Sequence, residues 1–141
     1  MQENIHIIIV ARHQVYLHAL RNIVSHIPQC KVIGLAENGF ELLYNKRLKE
    51  ADVILMDLGT SVVEGIDVSK SLLHKYEHLH ILGLALHFDQ FRLEEVLEAG
   101  INGVLLKNTS KKEIEAAICK VLEGGIYIPQ TMLQKMDEII H

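Results

Sequence analysis

The sequence predicts an α/β domain: a doubly wound, five-stranded parallel sheet with helices on both faces. Three observations predict it. Short apolar runs of four to six residues alternate with longer amphipathic segments along the chain. The runs are rich in Ile, Val and Leu and mostly continuous, the pattern of strands covered on both sides. The length, 141 residues, suits one domain with a real core. Right-handed crossovers then make 2-1-3-4-5 the simplest strand order.

The strand candidates are Ile5–Val10, Lys31–Ala36, Val53–Met56, Ile81–Leu86 and Gly103–Leu106. After the first, Tyr16, Leu20, Ile23, Val24 and Ile27 recur at helical spacing, and Pro28 stops the helix. Phe40, Leu43 and Tyr44 mark the second helix, and Val68, Leu72, Leu73 and Tyr76 the third. Phe91, Leu93, Val96 and Leu97 mark the fourth, which ends at Gly100 in a C-cap position. Thr109 or Ser110 before Glu113 signals the start of the fifth, whose inner stripe is Ile114, Ala117, Ile118, Val121 and Leu122. "GGIYIP" breaks that helix, and a last one of about a dozen residues follows Pro129.

With 49 % apolar and 23 % charged residues the balance is that of an ordinary soluble globule. A net charge of −4 and no basic stripe give this chain no electrostatic reason to grip nucleic acid. "NKRLKE" and "KNTSKKE" carry acids as well as bases and are read as solvated helix faces. Cys30 and Cys119 match no metal or redox spacing and suggest a reducing compartment. No run approaches a membrane span, and "IHIIIV" is too short for a signal-peptide core, so a cytoplasmic location is expected.

In such a sheet the working site lies beyond the carboxyl ends of the strands, where strand order reverses, here between the first and third strands. Asp57 ends the third; Ala11 and Arg12 follow the first. That first turn, "VARHQV", lacks the glycines of a dinucleotide site, and no GxxxxGK[ST] phosphate loop or Ser/Thr-rich flavin loop is present.

The order of motifs resembles the receiver domain of two-component response regulators, a CheY-like fold, over about residues 4 to 125. Asp57 with Gly65 eight positions on resembles the family's phosphoacceptor and its loop glycine. "GVLLKNTS" is similar to the segment after the fifth strand, with Lys107 as its lysine; "KVIGLAENGFELL" and "AGINGVLLKNTSKKEIEAAICKVLEGGIYIP" resemble the NarL, FixJ and LuxR-type subfamily. The resemblance implies a carboxylate that takes a phosphoryl group beside a magnesium ion held by an acidic pair, a hydroxyl and a lysine on the phosphoryl oxygens, and a reporting aromatic in the fifth strand.

The chain departs from that pattern. The acidic pair falls on Ala11 and Arg12, the hydroxyl on Ala85, the reporting aromatic (the switch position) on Val104 and the loop proline on Ser61; Asp57 and Lys107 remain. One carboxylate is a poor magnesium site, and Arg12 puts a fixed positive charge where the ion would sit. The expectation is therefore no metal, no cofactor, and an Asp57 that pairs with Arg12 on one side and Lys107 on the other; the alternative is a decayed pocket in which Arg12 points into solvent.

Among nine histidines, His74 and His78 lie one turn apart with His80 following, but no acid stands at zincin spacing, and exposed histidines are the expectation. His13 and His87 border the pocket; His87 has a common counterpart in the family. The resemblance implies a non-enzymatic receiver at residues 1–125 and the start of a linker helix at 126–141, leading to an output domain outside this chain. Implied partners are a histidine kinase or another regulator, a second copy in a homodimer, and DNA only through that further domain; no membrane is expected. The alternatives are a receiver still phosphorylated on Asp57 and a small-molecule-sensing receiver-like domain.

Overall fold

The computed structural model describes residues 4–59, 61–87 and 92–140. Five parallel strands, β1 (Ile5–Val10), β2 (Cys30–Ala36), β3 (Val53–Asp57), β4 (His80–Ala85) and β5 (Gly103–Leu106), lie in the order β2-β1-β3-β4-β5. This is the expected doubly wound order, and predicted strand ends differ from observed ones by one residue at most.

The two-residue period of a strand sorts its side chains between two helical layers. Ile5, Ile7 and Ile9 of β1, Val53 and Leu55 of β3, Leu82 and Leu84 of β4 and Leu105 of β5 share one core. It is closed by α1 (Gln14–Ser25) and α5 (Lys111–Leu122), through Leu17, Leu20, Val24, Ile114, Ala117, Ile118 and Val121. Ile8, Val10, Ile54, Met56, Ile81 and Val104 face the other way. There α2 (Gly39–Leu43), α3 (Val62–Lys75) and α4 (Leu93–Glu98) cover them with Leu42, Ile66, Leu72 and Val96. The capping signal of α5 holds: the Ser110 hydroxyl accepts from Glu113 N at 3.1 Å. Gly100 follows the C-cap of α4 with φ +94°, a left-handed turn that suits glycine.

The second helix corrects the expectation. Its buried residues are Gly39 and Leu42, whereas Phe40, Leu43 and Tyr44 are exposed. The backbone at Gly39 lies against Val68 of α3, where a Cβ would fall 2.4 Å from Cγ2. With Gly39 on the inner face, the next residue on the helix, Phe40, lies about 100° round the axis and is exposed, with its ring 5.0 Å from that of Tyr44. Phe91, assigned to the fourth helix from its spacing, lies outside the described residues.

The chain beyond α5 is packed onto the sheet. Tyr127 forms a parallel bridge with Gly103 at the free edge of β5, and its carbonyl accepts from Val104 N at 3.0 Å. Then α6 (Gln130–Ile140) starts after Pro129 and buries Met132 in the same core as Val96 and Val104. Among the described residues no helix is long and apolar enough to cross a membrane.

Candidate functional site

The carboxyl ends of the strands build the site. The last residue of β3 is Asp57, in register with Leu84 of β4. Its side chain is 3 % exposed. One carboxylate oxygen, Oδ1, accepts the Gly59 backbone N–H at 2.8 Å in a tight turn, where a Cβ on Gly59 would sit 3.0 Å from that oxygen and crowd it.

The other oxygen meets a cation. Lys107, just past β5, is held by its backbone N–H donating to the Ala85 carbonyl at 2.8 Å. Its Nζ lies 2.7 Å from Asp57 Oδ2, with the lysine side chain 12 % exposed. The approach is a close charge contact rather than a directed hydrogen bond, since Oδ2 is buried and accepts none. The pairing of Asp57 with Lys107 is thus present as the sequence suggested.

The expected pairing of Asp57 with Arg12 is absent. Arg12 is exposed and makes no ion pair with the acid. Physics favours this: the carboxylate already holds a buried ammonium, and a second cation would lose hydration to face a like charge. Arg12 instead borders a cleft of about 630 Å³ outside the strand ends, with Ala11, Glu37, Asn38, Phe40, Asp57 and Glu64 among its other walls. Ala11 is itself buried and fixed by its N–H to the Ala36 carbonyl at 3.0 Å.

Ala85 and Val104, the remaining positions singled out, are fully buried. Val104 is β-branched, packs in the core behind the sheet, and donates its backbone N–H to the Tyr127 carbonyl; it carries no aromatic ring to turn outward. Ser61 serves as the N-cap of α3, accepting from Glu64 N at 3.1 Å. His13, His74, His78 and His87 are exposed.

Sequence reasoning missed Tyr16. It was counted in the apolar stripe of the first helix, yet its half-buried ring reaches the site: Lys107 Nζ stands 5.0 Å from its centroid. Its hydroxyl is buried with no partner. That burial, and secondarily the charge of Asp57, hold the phenol far above the ordinary tyrosine range. The available signal was position, since Tyr16 lies in the first turn of α1, at the carboxyl end of β1. Gly59, which admits the turn under the acid, was also passed over.

The donor set does not fit a divalent cation. Hard ions need several oxygen ligands. Here an alanine and an arginine follow β1, and both oxygens of Asp57 are engaged within the chain, one by Gly59 and one by Lys107. Among the described residues no group of three or more His, Cys, Asp or Glu side chains is placed to hold a metal.

Comparison with known proteins bears on the fold and the family. Residues 7–119 match the family model described as the response regulator receiver domain. The chain is 29 % identical over 127 residues to the transcriptional regulatory protein DegU of Brevibacillus brevis, covering 90 % of this chain and 54 % of that protein. It is 27 % identical over 132 residues to the response regulator UvrY of Escherichia coli K12, covering 94 % of this chain and 61 % of the relative. The chain therefore spans less than two thirds of the length of these curated relatives. The isolated REC domain of RcsB from Salmonella enterica serovar Typhimurium, in the apo form, superposes with a TM-score of 0.81 at 25 % identity, covering 95 % of this chain and 99 % of that one.

Proposed function

Because the chain belongs to the response regulator receiver domain family, we propose that it is a signalling receiver whose output is set by protein contacts rather than by magnesium-dependent phosphorylation of Asp57. It is an interaction module, not an enzyme. It controls transcription through a DNA-binding domain beyond this chain, as the relatives' designation as transcriptional regulators suggests. Its partners are a regulator or kinase that docks on the receiver and a second copy of the chain in a dimer.

The observation that carries this reading is the set of residues around Asp57, which lacks the metal ligands and the hydroxyl of the family pattern. A phosphoacceptor needs a free carboxylate oxygen and a metal to bridge it to the incoming phosphoryl group. Here the oxygen on offer, Oδ2, faces a lysine at 2.7 Å. Ala11, Arg12 and Ala85 supply neither metal ligand nor hydroxyl. The same arrangement balances the charge of Asp57 with a base from within the chain, without phosphate, and both side chains are nearly closed to water.

Magnesium titration followed by two-dimensional amide NMR tests it. The expected result is no saturable shift of the Asp57, Leu58 and Gly59 amides up to about 20 mM, since the site offers too few oxygen ligands. Saturable shifts at those amides, lost in Asp57→Asn, would restore the phosphoacceptor reading.

A further inference from the structure

Lysine side chains are flexible and strongly hydrated, and a lysine at a strand end ordinarily keeps its ammonium in water. Lys107 does not. Its side chain is 12 % exposed and its ammonium is enclosed on three sides. Asp57 Oδ2 stands on one side at 2.7 Å, without a directed hydrogen bond to fix the angle of approach. Bare backbone stands on another: a Cβ on Gly59 would lie 3.3 Å from Nζ. The third side is the ring of Tyr16, with its centroid 5.0 Å from Nζ, inside the range of about 6 Å over which an aromatic face attracts a cation.

We propose that Tyr16 is the positioning residue that holds Lys107 closed over Asp57. The inference rests on the reading of the pocket as charge-balanced from within, and it names what keeps the balance in place. The ring does this, not the hydroxyl, which is buried and makes no bond. Tyr16 belongs to α1, so the clamp ties the state of the pocket to the first turn of that helix. Movement of that turn, on binding a partner, would withdraw the ring and free the ammonium. The closed state is then governed from α1 and not from β5, where Val104 is locked in the core.

The test is the chemical accessibility of the Lys107 amine. The protein is pulsed with an acetyl N-hydroxysuccinimide ester, and acetylation at each lysine is followed by peptide mass spectrometry. Exposed Lys111 and Lys112 are internal references. Tyr16→Leu removes the aromatic face and should speed Lys107 acetylation by about five-fold or more relative to those references, while Tyr16→Phe stays within roughly two-fold of the parent. An unchanged rate in Tyr16→Leu overturns the proposal. So does equal acceleration in Tyr16→Phe, which would assign the effect to the hydroxyl. Should Tyr16→Leu not fold, proton NMR of the unaltered protein decides. The Lys107 ε-methylene protons should be moved upfield by the ring current, and random-coil positions overturn the clamp. Neither readout involves phosphoryl transfer or magnesium, so the clamp can fail while the proposed function stands.

Discussion

At the scale of single residues, the energetics centre on an acid and a base that have left water together. Asp57 and Lys107 side chains are 3 % and 12 % exposed, so removing one leaves the other charged and without a counter-ion. Asp57→Ala and Lys107→Ala should each destabilise the domain by about 1–3 kcal/mol, with the double variant costing less than the sum by about 1 kcal/mol. Arg12→Ala should be nearly additive with Asp57→Ala, because Arg12 is exposed and forms no ion pair with the acid. Denaturant unfolding of the two cycles measures both statements. His80 supplies a second residue-scale effect. Burial, aided by His78 and opposed by Asp52, holds its imidazole below the ordinary histidine range, and its Nδ1 is buried without a partner. The folded state therefore takes up this proton less readily than the unfolded chain. The stability this contributes is complete above the ordinary pKa of 6.5 and is lost as pH falls from there toward the folded-state value. His80→Gln should show a shallower loss of stability between about pH 7 and pH 5 than the parent. Parallel curves for the two proteins would assign that pH dependence elsewhere.

At the scale of elements, two glycines shape the loop that follows Asp57. Leu58 is fully buried between β4 and α3, where a Cβ on Gly83 would meet its Cδ1 at 2.5 Å and one on Gly65 its Cδ2 at 2.4 Å. The glycine eight positions after the acid is thus a packing requirement, and Gly65→Ala should cost about 1–3 kcal/mol by forcing Leu58 off its site. The segment after α5 is a second case. Met132 is 4 % exposed in the core shared with Val96 and Val104, so Met132→Ala should cost about 2–4 kcal/mol in thermal or denaturant unfolding. A loss under about 0.5 kcal/mol would show that α6 is not part of the cooperative unit. The same elements show where sequence reading stops. The stripe of α5 and its Ser110 cap were legible, because a twelve-residue helix repeats its pattern. The five residues of α2 do not complete two turns, so three-residue spacing could not say which face was inward. "GGIYIP" was legible as a break, but its bridge to β5 depends on an edge that only the assembled sheet exposes.

At the scale of the whole molecule, the strand order and both helical layers follow from the alternation of apolar runs with amphipathic segments. Topology in turn brings Asp57 and Lys107, fifty positions apart, within 2.7 Å of each other. That pair was legible because both residues stand at strand ends and the family places them together. The partner of Arg12 was not, since spacing fixes which residue borders a pocket but not whether its side chain turns in or toward water. Tyr16 was hidden by its apolar ring, which fits a core stripe and a cation contact equally well. The proposed function comes down to a receiver fold whose acid, Asp57, lacks the neighbouring metal ligands and hydroxyl that phosphoryl transfer needs. Incubation with acetyl phosphate and magnesium, followed by intact-mass spectrometry, tests this most directly. The mass should stay that of the unmodified chain over hours. Near-stoichiometric gain of one base-labile phosphoryl group, abolished by Asp57→Asn, would contradict it.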